Sequence, residues 1–157
     1  MRTPEEMMEL ILQVAKEDDR IRAVTLGGSR ANPDCPADVY QDFDVAFYVE
    51  DVAPFWDNPA WIAEKFGTPS LLQRPESMEL IPPDRDGNYF YLMIFPDGNR
   101  IDLNVTPEHY EDDGEPMLLL LDKDGTFPKI AVAKDHWYVK KPTGKLFADC
   151  CNEFHWC

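Results

Sequence analysis

The sequence predicts an α+β domain in which helices and strands follow one another along the chain. Residues 4–15 carry apolar side chains at helical spacing, which predicts an amphipathic helix. Residues 21–26 and 43–49 are β-branched or alternate between apolar and polar side chains, which predicts two strands. The aromatic segment 54–66 is typical of one or two short helices ended by Gly67, and we expect its side chains to cover one face of the sheet.

The first helix has a clear start signal. Thr3 can cap the helix, Pro4 suits its first position, and Glu6 stands three residues after the cap. The apolar positions that follow predict a stripe packed in the core rather than a functional methionine patch. These positions are Met7, Met8, Ile11, Val14 and Ala15.

A glycine pair follows the first strand directly. Gly27 and Gly28 let the backbone turn tightly and approach a ligand closely. The next amide groups and the Ser29 hydroxyl can donate hydrogen bonds to phosphate oxygens, especially if Arg30 opens a short helix. The turn is therefore a candidate phosphate-binding site.

Two acids open the second strand after a proline-containing loop, residues 31–41. Asp42 and Asp44 are two residues apart, so their side chains project from the same face of the strand. Two carboxylates this close repel each other unless a cation lies between them, and oxygen ligands of this kind suit Mg²⁺. A phosphate-binding turn followed by such a pair indicates phosphoryl or nucleotidyl transfer.

A hairpin supplies a third acid. Residues 89–95 and 100–105 predict two antiparallel strands joined by the turn 96–99, and residues 70–74 predict a further weak strand. The apolar positions of the second hairpin strand face the core, so its polar residues share the opposite face. These polar residues are Arg100, Asp102 and Asn104.

Four segments in this order carry a family resemblance: MRTPEEM, IRAVTLGGSRANP, QDFDV and DGNRIDL. The Gly-Ser turn, the Asp-x-Asp pair and the later lone Asp resemble those of the DNA polymerase β-like nucleotidyltransferase superfamily. The segments themselves are similar to those of the aminoglycoside 6-adenylyltransferases, which modify streptomycin. The resemblance runs from Met1 to about Trp156 and implies a polymerase β-like fold, a mixed twisted sheet with helices packed on one face.

The resemblance also implies a reaction. AMP would pass from ATP, the co-substrate, to a hydroxyl of an aminoglycoside, with streptomycin the first choice, and pyrophosphate would leave. Asp42, Asp44 and Asp102 would be the catalytic residues and would hold two Mg²⁺ ions. The residues implied in phosphate binding are Gly28, Ser29, Arg30 and, on weaker grounds, Arg100. The alternative for the three acids is that they are ordinary strand-end carboxylates neutralised by arginines.

Composition narrows the class of partner. The chain has 157 residues, 44% of them apolar, which suffices for one domain with a real core. Its 30 acidic and 15 basic residues give a formal net charge of -15, which repels nucleic acid and favours a cationic partner such as an aminoglycoside, or merely keeps the protein in solution. With no apolar run of membrane-spanning length and no signal peptide, we expect a cytoplasmic location and no membrane partner.

The end of the chain predicts a helix with nothing to pack against. Residues 140–142 mark a possible boundary, which divides a catalytic domain, 1–141, from the start of a helix, 142–157. Thr143 can cap this helix, and apolar residues then recur at helical spacing. The resembling enzymes continue into a C-terminal helical domain, so we expect that this domain, absent here, or a dimer mate covers the helix.

Two weaker site candidates remain. The acidic run 107–115 could line the mouth of the site and attract a cationic group, although such runs are usually solvated, and His109 has no partner indicated by the sequence. The terminal Cys and His residues lack the usual Cys-x₂-Cys spacing of a zinc site. They are Cys150, Cys151, His155 and Cys157.

Two other functions stay open at this point. One is a small nucleotidyltransferase that adenylylates a protein partner, which predicts a terminal helix covered by a dimer mate. The other is an inactive module that binds nucleotide or antibiotic. The three acids argue against a pure binding module, since it has no need of all of them.

Overall fold

The computed structural model describes residues 1–79, 87–107, 116–130 and 141–156, with side chains through residue 154. The helices are α1 Pro4–Glu17, α2 Gly28–Ala31, α3 Ala53–Trp56, α4 Trp61–Phe66 and α5 Gly144–Trp156. The strands are β1 Ile21–Leu26, β2 Phe43–Val49, β3 Leu71–Gln73, β4 Tyr89–Ile94, β5 Arg100–Thr106 and β6 Leu118–Asp122. The acidic run 108–115 with His109, the segment 131–140 and Cys157 lie outside the described residues.

The strands form one six-stranded mixed sheet in the order β3-β4-β5-β2-β1-β6. The central pair, β2 and β5, is parallel, and the other neighbours are antiparallel. The predicted hairpin is β4 and β5, and the predicted weak strand is β3 at the edge. The α+β class with a mixed sheet is thereby confirmed.

One face of the sheet packs against helices α1, α3 and α4 and forms the core. Along β2 the buried residues alternate with half-buried ones, and β5 shows the same alternation over most of its length. The apolar set on each strand therefore points to the helices, and the polar set points to the opposite face. All the predicted site acids belong to the polar set.

The start of α1 follows the predicted capping box. The Glu6 amide donates to Thr3 Oγ1 at 3.2 Å, and the Thr3 amide donates to Glu6 Oε2 at 2.8 Å. The predicted stripe is in the core: Met7, Ile11, Val14 and Ala15 are buried, and Met8 packs at its edge. The local signals of α1 agree with its tertiary contacts.

The aromatic residues of α3 and α4 fill the core as predicted. Phe55 and Trp61 are buried, with ring centroids 5.3 Å apart in an edge-to-face contact. Trp61 donates its indole N–H to the Tyr91 hydroxyl at 3.3 Å, and that hydroxyl donates to the Phe55 carbonyl at 2.5 Å. Burial raises the pKa of Tyr91 to about 12, so the hydroxyl keeps its proton and both partners stay satisfied.

β6 is an edge strand paired antiparallel with β1. The sequence predicts only an apolar run here, and its leucines are not a buried segment: Leu118 and Leu119 are each 40% exposed. A run of identical apolar residues fixes no register, so the pairing with β1 had no sequence signal. Residues 130–133 are apolar in sequence, which predicts a further short buried segment. Of these, only Ile130 lies within the described residues, and it is half-buried.

Helix α5 begins with the predicted cap, since the Leu146 amide donates to Thr143 Oγ1 at 3.2 Å. Its apolar stripe is exposed: Leu146, Phe147 and Phe154 are 53%, 62% and 80% exposed. Among the described residues, no helix is both long and apolar enough to cross a membrane.

Candidate active site

Three carboxylates meet on the polar face of the sheet. Asp44 lies on β2 directly opposite Asp102 on β5, because the parallel pairing aligns these two positions. Asp42 stands just before β2, two residues from Asp44, so its side chain reaches the same face. One carboxylate oxygen from each of the three acids lies within 4.8 Å of the other two.

We call the side chains of Asp42, Asp44 and Asp102 together the carboxylate group, and their surroundings make a positive counter-charge necessary. All three acids are half-buried, with the Asp42 and Asp102 side chains only 25% and 20% exposed. Like charges held this close and partly shielded from water repel one another strongly. A cation in contact with the group removes this cost.

Arg100 supplies that cation. Its Nε and Nη2 atoms donate to the two oxygens of Asp102 at 2.9 and 2.5 Å, and Nε lies 3.5 Å from Asp42 Oδ2. The hydrogen bonds to Asp102 and the charges of all three acids raise the pKa of Arg100. The sequence predicts that Arg100 and Asp102 lie on the same face of the strand. It does not predict the bidentate ion pair between them.

The glycine turn lies against the same group. The Gly27 amide donates to the Asp44 carbonyl at 2.8 Å, which ties the turn to β2. Gly28 has a φ of +65°, which side-chain-bearing residues rarely adopt. A Cβ atom on Gly28 would stand 2.0 Å from Asp44 Oδ2. The turn therefore approaches Asp44 as closely as it does only because residue 28 is glycine.

Ser29 and Arg30 are part of α2, and they differ in what they contact. The Ser29 hydroxyl is half-buried and makes no hydrogen bond within the part of the chain that the structure describes. Arg30 donates through Nε to the Asp42 carbonyl and through Nη2 to the Gln41 carbonyl, each at 2.7 Å. Its guanidinium also stacks over the Phe43 ring, 4.0 Å from the centroid.

The contacts of Arg30 give it a role that the sequence did not indicate. They hold the loop end that carries Asp42, and burial lowers the pKa of Arg30 despite the acids around it. No sequence signal could have found this, because the contact depends on how residues 32–42 return to the sheet. Arg30 is near the predicted phosphate site, with two of its nitrogens already engaged.

Asn104 lies one pleat beyond Asp102 on the same face of β5. Its side-chain nitrogen reaches Asn88 Oδ1 at 3.4 Å, a long contact. Its side-chain oxygen is buried and has no hydrogen-bond partner among the described residues. A buried acceptor without a donor is costly, which marks this side chain as a further polar group of the site face.

The carboxylate group is the only set of three or more potential metal ligands among the described residues. Its donors are all carboxylate oxygens, the ligands that Mg²⁺ prefers, so the residues present fit that ion. A cavity of 490 Å³ lies elsewhere, toward the far end of β2, and is lined in part by Arg22, Tyr48 and Phe127. It contains none of the three acids.

A family model described as streptomycin adenylyltransferase matches residues 1–157. The chain belongs to the streptomycin adenylyltransferase family. Within this family, aminoglycoside 6-adenylyltransferases from Bacillus subtilis and Campylobacter jejuni are each 42% identical to the chain over 98% of its length. One from Staphylococcus aureus is 36% identical over 98% of the chain. The resemblance inferred from the four sequence segments is confirmed.

Comparison with solved structures gives the same result as the sequence comparison for this member of the streptomycin adenylyltransferase family. The crystal structure of an aminoglycoside 6-adenyltransferase from Bacillus subtilis matches 98% of the chain with a TM-score of 0.64 and 36% sequence identity. The chain spans 56% and 54% of the Bacillus and Campylobacter relatives and 53% of the chain in that crystal structure. The family-model match, residues 1–157, includes every position of the site described above.

Proposed function

We propose that this domain transfers AMP from ATP to a hydroxyl of an aminoglycoside, with release of pyrophosphate. The observation that carries the proposal is the convergence of Asp42, Asp44 and Asp102 within 4.8 Å beside the glycine turn. Membership of the streptomycin adenylyltransferase family supports it, as do relatives named aminoglycoside 6-adenylyltransferase.

In this proposal, Asp42, Asp44 and Asp102 would hold two Mg²⁺ ions. Mg²⁺ held there would neutralise charge on the phosphate and on the attacking and leaving oxygens. Asp102 also accepts the proton of the attacking hydroxyl or helps to acidify that hydroxyl. The three carboxylates lie on the polar face, on the opposite side of the sheet from the apolar core, and substrates would approach them from this face.

Gly28 and Ser29 receive the phosphates of ATP in the proposed site. The Gly28 backbone lies against Asp44, so an anion bound to the turn would be next to the carboxylate group. The Ser29 hydroxyl makes no hydrogen bond to a described residue and is available as a donor. Arg30 adds positive charge and keeps Asp42 in place, and Arg100 is a further phosphate contact once its carboxylate partners are neutralised.

The proposed acceptor is a cationic aminoglycoside, with streptomycin as the first choice. The net charge of -15 favours such a molecule over a polynucleotide. The relatives that carry this substrate class in their names share 42% of residues with the chain. We propose the cytoplasm, where ATP and antibiotic meet, as the place of action.

We also propose that residues 1–141 form the catalytic domain and that α5 packs on a further helical region or on a second copy of the chain. The exposed Leu146, Phe147 and Phe154 support this, since an isolated helix of this length is marginal in water.

Mass spectrometry of streptomycin incubated with ATP, Mg²⁺ and this chain tests the proposal. We expect the antibiotic to gain one AMP with the parent chain and none with Asp102→Asn. The Asp57→Asn variant, which changes an exposed acid on the core side, is the matched control and should match the parent. An unmodified antibiotic with a folded parent that releases pyrophosphate in the presence of a protein acceptor would favour the protein-adenylylating alternative.

A further inference from the structure

We propose that Arg100 is an internal counter-ion that competes with divalent cations for the carboxylate group. Arg100 neutralises Asp102 and Asp42 while no metal is bound, and it moves away from them when metal arrives. This inference rests on the proposed function, because it takes the three acids as the metal ligands. It adds a residue that controls how readily the metal site fills.

The contacts of Arg100 coincide with the positions a metal would use. Both oxygens of Asp102 accept hydrogen bonds from the guanidinium, at 2.9 and 2.5 Å, and Asp42 Oδ2 lies 3.5 Å from Nε. A divalent ion bound to the same oxygens would stand next to a fixed positive charge and would be repelled by it. Arg100 and the metal therefore cannot both occupy the group in the observed geometry.

Arg100 is free to leave, whereas Arg30 is not. The Arg100 side chain is 50% exposed, and its partners in the described part of the chain are carboxylates of the group alone. Arg30 is held by two backbone carbonyls and by the Phe43 ring, and none of these groups is a metal ligand in the proposed site. The two arginines beside the acids therefore differ: Arg30 is fixed, and Arg100 can be exchanged for a metal ion.

Charge explains why the exchange is favourable. Three carboxylates and one guanidinium leave the group with a net negative charge, so a divalent ion is still attracted to it. The released guanidinium remains at the start of β5, beside the site, where it can pair with an anionic phosphate. The ion pairs between Arg100 and the carboxylates are then replaced by an ion pair between Arg100 and phosphate.

Binding of Mn²⁺ without ATP, followed by electron paramagnetic resonance, tests the exchange. We expect Arg100→Gln to bind Mn²⁺ at least about threefold more tightly than the parent, since the competing cation is gone. Arg100→Lys keeps the charge but loses the two-pronged fit, and should fall between the two. The control Arg22→Gln removes an ion pair with Asp124 away from the site and should leave the affinity unchanged.

Melting of the metal-free variants gives a second readout. Arg100→Gln removes the guanidinium that neutralises Asp102 and Asp42, so its melting temperature should fall by a few degrees, and added Mg²⁺ should raise it by more than it raises the parent's. Because Arg100 is half-exposed, the variant should still fold.

The results separate this inference from the proposed function. Equal or weaker Mn²⁺ binding by Arg100→Gln would overturn the inference alone, provided that the parent binds Mn²⁺ and Asp44→Asn does not. If the parent, Arg100→Gln and Asp44→Asn all bind alike, or none of them binds, both the inference and the proposed metal site are wrong.

Discussion

At the scale of single residues, Gly28 links backbone conformation to site chemistry. Its φ of +65° and its close approach to Asp44 Oδ2 both require the absence of a Cβ atom. Gly125 has nearly the same φ, +67°, but no atom of the described residues lies within 4 Å of the position its Cβ would take. Alanine variants at these two positions therefore distinguish the effect of backbone strain from the effect of disturbing the carboxylate group.

We expect Gly125→Ala to lose about 1–2 kcal/mol of stability, because it forces a side chain into the left-handed region, and Gly28→Ala to lose at least as much, because it must also displace the Asp44 carboxylate. Only Gly28→Ala should lose activity, by at least about a hundredfold, since its methyl group displaces the Asp44 carboxylate. Urea unfolding and the rate of AMP transfer measure the two effects. Equal activity losses in the two variants would show that the close approach to Asp44 is not needed.

Asp44→Asn gives a complementary test. The change removes one of several crowded negative charges, so the melting temperature should stay within a few degrees or rise. Turnover of ATP should fall at least about a hundredfold, because a metal ligand and its charge are lost. Asp34→Asn, in the exposed part of the loop before β2, should match the parent in both measurements. Undiminished turnover in Asp44→Asn would refute its assignment as a ligand.

At the scale of elements, the β4–β5 hairpin is tied to the start of the chain. Arg2 donates to Asp97 Oδ2 at 2.5 Å and to the Phe66 carbonyl at 2.8 Å, and its guanidinium lies over the Phe95 ring. Asn99 donates a hydrogen bond through Nδ2 to the Arg2 carbonyl at 3.1 Å. These contacts join α1, α4 and the hairpin turn, and so hold the strand that carries Asp102.

We expect this tie to weaken in acid. Burial alone would raise the pKa of Asp97, but hydrogen bonds from Arg2 and Asn99 lower it to about 2. Because the folded-state pKa lies below that of the unfolded chain, the stabilisation is complete above about pH 4 and is lost as the pH falls toward 2. Asp97→Asn should therefore cost about 1–2 kcal/mol at pH 7, and its deficit should vanish near pH 2.

Urea unfolding of parent and Asp97→Asn at a series of pH values measures this difference. Asp57→Asn removes an exposed acid with no ion pair among the described residues, and should show no such trend. A deficit that stays constant from pH 7 to pH 2 would mean that Asp97 acts through its hydrogen bonds and not its charge.

Predictability also differs from element to element. The cap of α1, its buried stripe and the β4–β5 hairpin follow from local patterns, because capping and alternation depend on residues close in sequence. The pairing of β6 with β1 does not, since a run of leucines can pair in more than one register. The contact of Arg30 with the Asp42 carbonyl likewise depends on the path of a loop.

At the scale of the whole molecule, the dominant property is charge. The excess of acids, a net charge of -15, places repulsion across the entire folded chain. Several ion pairs oppose it, but three of those among the described residues are exposed by about a third or more on both partners, and such pairs contribute about 0–1 kcal/mol each. Repulsion among the unpaired acids should therefore outweigh the exposed pairs.

We expect potassium chloride to stabilise the protein. Raising its concentration from about 0.01 M to about 0.5 M shortens the screening length from about 30 Å to well under 10 Å, which weakens repulsion over the whole surface. The melting temperature should rise by a few degrees. The experiment uses chloride and not sulfate, because sulfate also stabilises proteins by exclusion from their surface, an effect separate from screening. A falling melting temperature would mean that the ion pairs outweigh the net repulsion.

The sequence by itself determined the type of most elements, the face on which each acid lies and the need for glycine in the turn after β1. These properties depend on spacing along the chain, and helix and strand periods express them directly. The tertiary structure alone decided which strands meet. The parallel pairing of β2 with β5 sets Asp44 opposite Asp102, and the fold then brings Arg100 next to Asp42 and Arg30 onto the loop. Such contacts join residues far apart in sequence, and no local pattern specifies them.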